Sequence, residues 1–355
     1  VAMSKTMRAV IYHGPRDIKL EERPIPTPGP GEVLVKIGAA LTCGTDFKAY
    51  RQGHRVLLGD YPSPFGHELA GTVTAIGKNV MTAVESYNNR LPKEGDRVVV
   101  ANSAPMDDCF WCKNGQNHLC PTLKLHNGAY AEYDLVPAHI VRRNLHPLRA
   151  SVPFEVGAMA EPFSCAIHAA EVHAVREGET ALVIGAGPMC LFLVHALRAR
   201  GARVGVLGRS KESLVATKIA GAEMTVSILD GSADDIVRAW AEDRGPDHVF
   251  EAVGAPETYL SALALVRDGG KVCLFGGCAP GTTVPLDVHR LHYKQITLHG
   301  VFHHTPPHFK EAGRILSEGK IKTELFVKGR IKLADIPAFF AANADKSIPK
   351  AVVTL

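Results

Sequence analysis

Cys43-Gly44-Thr45-Asp46 and Gly66-His67-Glu68 together supply a thiolate, an imidazole and a carboxylate. These are the side chains with which a protein holds a catalytic zinc while leaving one position open to substrate. Glu161-Pro162 offers a further carboxylate downstream. Gly185-Ala186-Gly187-Pro188-Met189-Cys190 then follows the apolar run 180–184, where a dinucleotide-binding turn belongs. Taken singly, Cys43 reads as a buried thiol and His67 as an ordinary turn residue. Their joint occurrence ahead of a nucleotide turn implies zinc-assisted hydride transfer.

Further motifs arrive in a fixed order: Gly95-Asp96-Arg97-Val98, Gly128-Ala129-Tyr130-Ala131-Glu132-Tyr133, Glu161-Pro162 and the closing Lys350-Ala351-Val352-Val353. From Met7-Arg8-Ala9 to that end, the chain resembles the medium-chain dehydrogenase/reductase superfamily, in its zinc-containing alcohol/polyol (sorbitol-dehydrogenase-like) branch. The resemblance implies that Cys43 and His67 hold zinc directly and that Glu68 or Glu161 completes the set. Asp46 is then the expected acceptor for the ring N–H of His67, fixing its tautomer. Thr45 matches the family hydroxyl that relays the substrate proton outward through the cofactor ribose, against the alternative of a plain turn threonine. Many relatives carry His at the next relay position, where this chain has Lys48. Either Lys48 serves the exit path or solvent takes the proton directly.

The chemical demand is large, because an alcohol of pKa near ~16 must lose its proton at neutral pH, a shift of roughly nine units or about 12 kcal/mol. Glu161 stands where many simple alcohol dehydrogenases place a second Cys, which points to a polyol, sugar alcohol or related secondary alcohol. Two other readings share the fold: threonine-dehydrogenase-like amino alcohol oxidation, and a non-enzymatic nucleotide-sensing protein. A zinc-free quinone or enoyl reductase is disfavoured by Cys43, His67 and Glu68.

Gly185 and Gly187 suit the tight turn and close approach of a pyrophosphate at the helix start formed by Pro188 and Met189, with Cys190 at the third, helix-packing position. The end of the second strand reads Leu207-Gly208-Arg209-Ser210-Lys211. It lacks the acid that binds the adenosine ribose in NAD-specific relatives. Arg209 and Ser210, with Gly208 and Lys211 beside them, suit a 2′-phosphate instead, so NADP is expected over NAD. The alternative is that Arg209 and Lys211 are a solvated helix start.

Cys109, Cys112 and Cys120 fit three positions of the family's C-x₂-C-x₂-C-x₇-C structural zinc motif, but the first is Met106. A thioether is a poor zinc ligand. The expectation is an incomplete structural zinc site that has lost its metal, with Asp107, Asp108 or His118 as the substitutes to consider. Cys165, Cys190, Cys273 and Cys278 are scattered and read as small buried hydrophobes.

These residues need a frame. At 355 residues, about two domains are expected. Short strands over 7–12, 32–39, 70–76, 96–101 and 131–135 suit a β-rich, barrel-like domain. From about residue 154, strands over 180–185, 203–207, 225–228, 248–253 and 271–276 alternate with helices over 188–200, 210–220, 233–242 and 256–266. Such alternation implies a doubly wound parallel sheet. A helix over 307–317 and a strand over 351–355 close the chain. The expected fold is α/β: a discontinuous GroES-like catalytic domain (1–153 and 301–355) and a Rossmann domain (154–300), with the site in their cleft by resemblance. Phe47, Tyr50, Phe302 and His303 are substrate-pocket candidates that could equally be packing.

The net charge of +4 is modest and basic pairs such as Arg142-Arg143 are isolated, so a nucleic-acid partner is not expected. Residues 1–8 hold no apolar run or cleavage site, and the longest apolar run, 189–197, is too short to span a bilayer. A cytoplasmic enzyme with a small alcohol substrate, assembled as a homodimer or homotetramer, is the expectation.

Overall fold

The computed structural model describes residues 6–81, 90–106, 108–319, 321–345 and 350–355. The chain opens with β1 (Thr6–Gly14), β2 (Asp17–Pro24), β3 (Val33–Leu41), α1 (Gly44–Gln52), β4 (Glu68–Ile76), β5 (Arg97–Val100), β6 (Tyr133–Val136), β7 (Leu145–Pro147) and α2 (Ala160–Val172). A regular alternation follows: β8 (Thr180–Ile184), α3 (Pro188–Ala199), β9 (Arg203–Gly208), α4 (Lys211–Ile219), β10 (Met224–Ser227), α5 (Ala233–Trp240), β11 (His248–Glu251), α6 (Pro256–Leu265), β12 (Lys271–Leu274) and β13 (Thr297–Gly300). The tail adds α7 (Pro306–Ser317), β14 (Val327–Lys332), α8 (Ile336–Asn343) and β15 (Lys350–Thr354). Two compact units result, residues 1–164 with 304–355 and residues 165–303.

In the first unit a seven-stranded sheet runs β7-β5-β4-β3-β15-β14, and β6 also pairs with β3. Irregularities in the β3–β4 register at Leu34/Val35 and Ile37/Ala39 bend this pair. The tail strand β15 lies antiparallel to β3, with Val352 opposite Leu41, while Glu68 at the start of β4 pairs with the same Leu41. That register sets the C-terminal strand beside the end of β3, next to Thr42 and Glu68. Beneath it, Phe340 of α8 stacks on Phe47 of α1 at 4.2 Å between centroids and also meets Tyr50, Phe65 and Tyr130. Phe47 and Tyr50 are therefore core residues that seat α1, and the packing reading of these two holds.

The second unit holds a six-stranded, wholly parallel sheet in the order β10-β9-β8-β11-β12-β13. All five residues of β8 are buried, as a parallel strand covered on both faces requires. The chain runs outward in one direction from β8 and then restarts at β11, so the topological switch point lies between these two strands.

The tail differs from the sequence expectation by β14 and α8. Lys328-Gly329-Arg330 within β14 are exposed, so no alternating apolar face announces the strand. Ile336-Pro337-Ala338-Phe339-Phe340 is too evenly apolar to show a helical stripe.

Candidate active site

Cys43 is the N-cap of α1: its Sγ accepts the Thr45 N–H at 3.5 Å, and its own N–H donates to Asp46 Oδ2 at 3.1 Å. Asp46 is fully buried. Its Oδ2 also accepts the Tyr130 hydroxyl at 2.5 Å, and its Oδ1 lies 2.9 Å from His67 Nδ1. The ring of His67 is thereby oriented with Nε2 available to a metal. Burial alone would disfavour the charged ring, but the Asp46 carboxylate and the Cys43 sulfur hold the pKa of His67 well above its ordinary value. Gly66 precedes His67 at φ +83, and a Cβ there would sit 2.7 Å from the Tyr130 ring. Only glycine permits both that backbone and that approach.

Glu68 is buried at the start of β4. Its Oε2 forms an ion pair with Lys350 Nζ, which also donates to the Thr42 carbonyl at 3.1 Å. Burial pushes the Glu68 carboxyl up and the Lys350 charge opposes the rise. Burial likewise works against the Lys350 charge, but Glu68, Cys43 and Glu161 keep the ammonium more basic than usual. Glu68 Oε1 is buried and without a partner among the described residues.

The ligand atoms of Cys43, His67 and Glu68 all lie within 4.8 Å of one another. A thiolate, an imidazole nitrogen and an otherwise unpaired carboxylate oxygen are a donor set that fits zinc and leaves a fourth position for substrate. Glu161, on α2, stands outside this group, its carboxylate within 4.8 Å of a ring nitrogen of His304. Burial pushes Glu161 up to about 7, with His67 and Lys350 opposing and Glu68 and Asp46 adding to the rise. Thr45 is half-buried on the first turn of α1, and Lys48 is exposed one turn later.

In the second unit Gly185, at φ +110, follows β8, and its N–H donates to the Leu207 carbonyl at 2.8 Å. Gly187 caps α3 with Pro188 at its first position and nothing within 4 Å of where a Cβ would project. This leaves the helix start open to a pyrophosphate. Met189 follows, and Cys190 is buried in the helix-packing position, where burial raises its thiol pKa. Gly208 ends β9, where a Cβ would meet Ala186 Cβ at 2.6 Å. Arg209, Ser210 and Lys211 are exposed beyond it, with Ser210 Oγ capping α4 by accepting the Ser213 N–H at 3.3 Å. Glycines where a dinucleotide must approach, and cations with no acid at the end of β9, fit NAD(P).

The sulfurs of Cys109, Cys112 and Cys120 form a third group, with 3.5 Å between Cys109 and Cys112. Burial raises the Cys120 thiol, but hydrogen bonds from Thr122, the Met106 backbone and Cys112 outweigh it and bring the pKa down to about 7. Asp107 lies outside the described residues, and Asp108 is almost wholly exposed beside Lys113. Among the described residues this group offers three metal-ligating side chains.

The profile of the alcohol dehydrogenase GroES-like domain matches residues 29–146, and that of the zinc-binding dehydrogenases matches residues 188–318. Sorbitol dehydrogenase of Bacillus subtilis (strain 168) is 31% identical over 339 residues, covering 93% of this chain and 91% of its own. The chain belongs to the zinc-containing alcohol/polyol dehydrogenases of the medium-chain dehydrogenase/reductase superfamily. A second member, L-galactonate-5-dehydrogenase of Escherichia coli (strain K12), is 30% identical across 98% of this chain and 99% of its own. A zinc-binding dehydrogenase from Sinorhizobium meliloti 1021, solved bound to NADP, superposes with a TM-score of 0.87 at 27% identity, covering 99% of this chain and 100% of that one. This dehydrogenase is thus an α/β enzyme of zinc and NAD(P) acting on the CH–OH group of alcohols or polyols. Among the described residues no helix is long and apolar enough to cross a membrane.

Sequence reasoning missed two residues of the candidate metal site, Tyr130 and Lys350. Both sit in motifs of the family, but nothing in those motifs says that Tyr130 bonds Asp46 or that Lys350 pairs with Glu68 across strands more than 280 residues apart.

Proposed function

We propose that this enzyme transfers hydride reversibly between a secondary alcohol of the polyol class and NADP, at a zinc site made by Cys43 and His67 with Glu68 and Glu161 as its carboxylates. The observation that carries the reading is the convergence, within 4.8 Å of one another, of Cys43 Sγ, a His67 nitrogen and a carboxylate oxygen of Glu68, whose Oε1 is buried with no partner among the described residues. The sorbitol and L-galactonate-5 dehydrogenases among its relatives support a polyhydroxylated substrate. When bound, zinc supplies positive charge against which an alcohol can lose its proton, and NADP supplies the hydride acceptor.

The chain's own residues do the rest. Asp46, held by the Tyr130 hydroxyl, turns His67 so that Nε2 faces the metal position. Thr45 accepts the proton of the substrate hydroxyl as its own hydroxyl proton passes outward, either directly to solvent or by way of Lys48, exposed one turn on, which releases a proton as it takes one up. Arg209, Ser210 and Lys211 bind the 2′-phosphate at the end of β9. Gly187, with Pro188 and Met189, opens the start of α3 to the pyrophosphate.

Zinc content per chain, NADP-dependent polyol turnover and NADPH binding, measured on the wild type and on Cys43→Ser, test this. The wild type should hold at least one zinc. The variant should lose one together with turnover, and keep NADPH binding. A folded, metal-supplemented wild type with no zinc would refute the mechanism. For the cofactor, kcat/KM should favour NADP over NAD and Arg209→Ala should erase the preference; comparable efficiency with NAD refutes it.

A further inference from the structure

Glu251 is the last residue of β11, fully buried, and its neighbour across the switch point is Ile184, the last residue of β8. A buried carboxylate is costly unless donors compensate it. Here the donors to one oxygen come from the segment that follows it, while Oε2 is buried without a partner among the described residues. Glu251 Oε1 accepts the N–H groups of Val253 at 2.8 Å and Gly254 at 2.9 Å, and the Thr258 hydroxyl at 2.7 Å. Its main-chain carbonyl accepts the N–H groups of Phe275 at 3.0 Å and Gly276 at 2.8 Å, just beyond β12.

The turn so held is wedged among three close glycine contacts. A Cβ on Gly185 would strike Val253 Cγ2 at 2.9 Å, and one on Gly254, itself at φ +79, would strike the Gly277 carbonyl at 2.6 Å. A Cβ on Gly276 would lie 2.3 Å from the Gly254 nitrogen. Tyr259, on the first turn of α6, donates its hydroxyl to the Gly276 carbonyl. Glu251 thus holds the loop that leaves β11 by its carboxylate and the start of the loop that leaves β12 by its main-chain carbonyl, and the first of these loops packs against the second and against the nucleotide turn that leaves β8.

In a doubly wound sheet the ligand lies beyond the carboxyl ends of the strands at the switch point, one nucleotide over each half. Arg209 to Lys211, beyond β9, occupy the half suited to the adenosine end. The other half is the pair of loops that Glu251 organises. We propose that Glu251 is a positioning residue that shapes the loops after β11 and β12 to receive the nicotinamide end of the dinucleotide. This rests on the dinucleotide reading of the second unit. Glu251 acts through Val253, Gly254 and Thr258 rather than by touching the cofactor.

The test is isothermal titration of the zinc-loaded enzyme with NADPH and, separately, with 2′-phospho-ADP-ribose, which lacks the nicotinamide. Glu251→Ala should weaken NADPH at least about tenfold and leave the fragment within about twofold, because only the nicotinamide half loses its seat. Glu251→Gln, which keeps an acceptor oxygen, should recover most of the loss. An equal loss for both ligands, or no loss for either, overturns the proposal. Thr258→Val, which removes one donor and leaves the carboxylate in place, covers the case in which Glu251→Ala does not fold; unchanged NADPH affinity in Thr258→Val overturns it too. Failure of the wild type to bind either ligand would instead remove the dinucleotide reading, and the proposal with it.

Discussion

Glu68 gives one oxygen to Lys350 and leaves the other unpaired, so an internal cation and the metal position share a single buried carboxylate. Removing one partner of such a pair strands the other charge, at a cost of about 3–5 kcal/mol. Lys350→Met should therefore lower unfolding stability by that order in urea titration, and adding Glu68→Gln should restore much of it. Additive losses in the double variant would show that the two side chains do not compensate each other. Asp46 makes a second, separable contribution by orienting His67. Asp46→Asn should weaken zinc binding about 10–100-fold in chelator competition, and an unchanged affinity would remove Asp46 from the site. Cys43, His67 and Glu68 were legible as a donor set because metal chemistry restricts residue type. Lys350 was not, since a lysine in a strand reads as an exposed polar position until a pairing register sets it opposite a buried acid.

At the scale of elements, α1 carries Cys43 and Asp46, and its seat is the stack of Phe47 on Phe340 of α8. Phe340→Ala should cost about 3–5 kcal/mol by urea unfolding and weaken zinc binding in the same preparation. Stability loss without a change in zinc affinity would mean that α1 is held elsewhere. Strands and helices of the second unit over 180–276 were legible to within a few residues because buried parallel strands and amphipathic helices differ in length and period, whereas the short helix Val288–Tyr293 was not. β14 and α8 were not, since their pairing and burial are set by partners distant in sequence. His173, just past α2, shows what such packing does to a titrating group. Both its ring nitrogens are buried without a partner among the described residues, and the ring lies against His248, Phe250 and His299. Burial, with His248, His299 and Lys271 adding to it, brings its pKa down to about 3. The unfolded chain then binds a proton that the folded chain refuses between about pH 6.5 and 3. Stability is full above that window and falls on acidification, by about 2 kcal/mol between pH 7 and pH 5. His173→Phe should flatten this part of the pH profile in urea titrations at the two pH values, and an unaltered slope would assign the acid sensitivity to other groups.

Across the whole molecule, each unit joins distant stretches of sequence around one ligand chemistry. In the first unit the proposed metal position draws on Cys43 beside α1, on His67 and Glu68, and on Lys350 in β15, with β4 and β15 both pairing β3 at Leu41. In the second, residues 184–187, 252–254 and 275–277 meet at the carboxyl edge of a parallel sheet. A ligand that binds only the folded state stabilises it by about 4 kcal/mol when present at a thousand times its Kd, and local opening of the segments it joins becomes rarer. Amide hydrogen exchange should resolve the two sites in one experiment. Chelating zinc from the wild type should raise exchange at residues 41–46, 66–69, 130 and 350–352 together, although the last group lies some 280 residues from Glu68. NADPH should slow exchange at 184–190, 252–255 and 275–277. Cys43→Ser should give the chelated pattern in the first set before any chelator is added and keep the NADPH response in the second. If chelation leaves the first set unchanged in a preparation shown to contain zinc, the metal is held somewhere other than Cys43, His67 and Glu68, and the three-sulfur group at Cys109, Cys112 and Cys120 is the place where its protection should then appear.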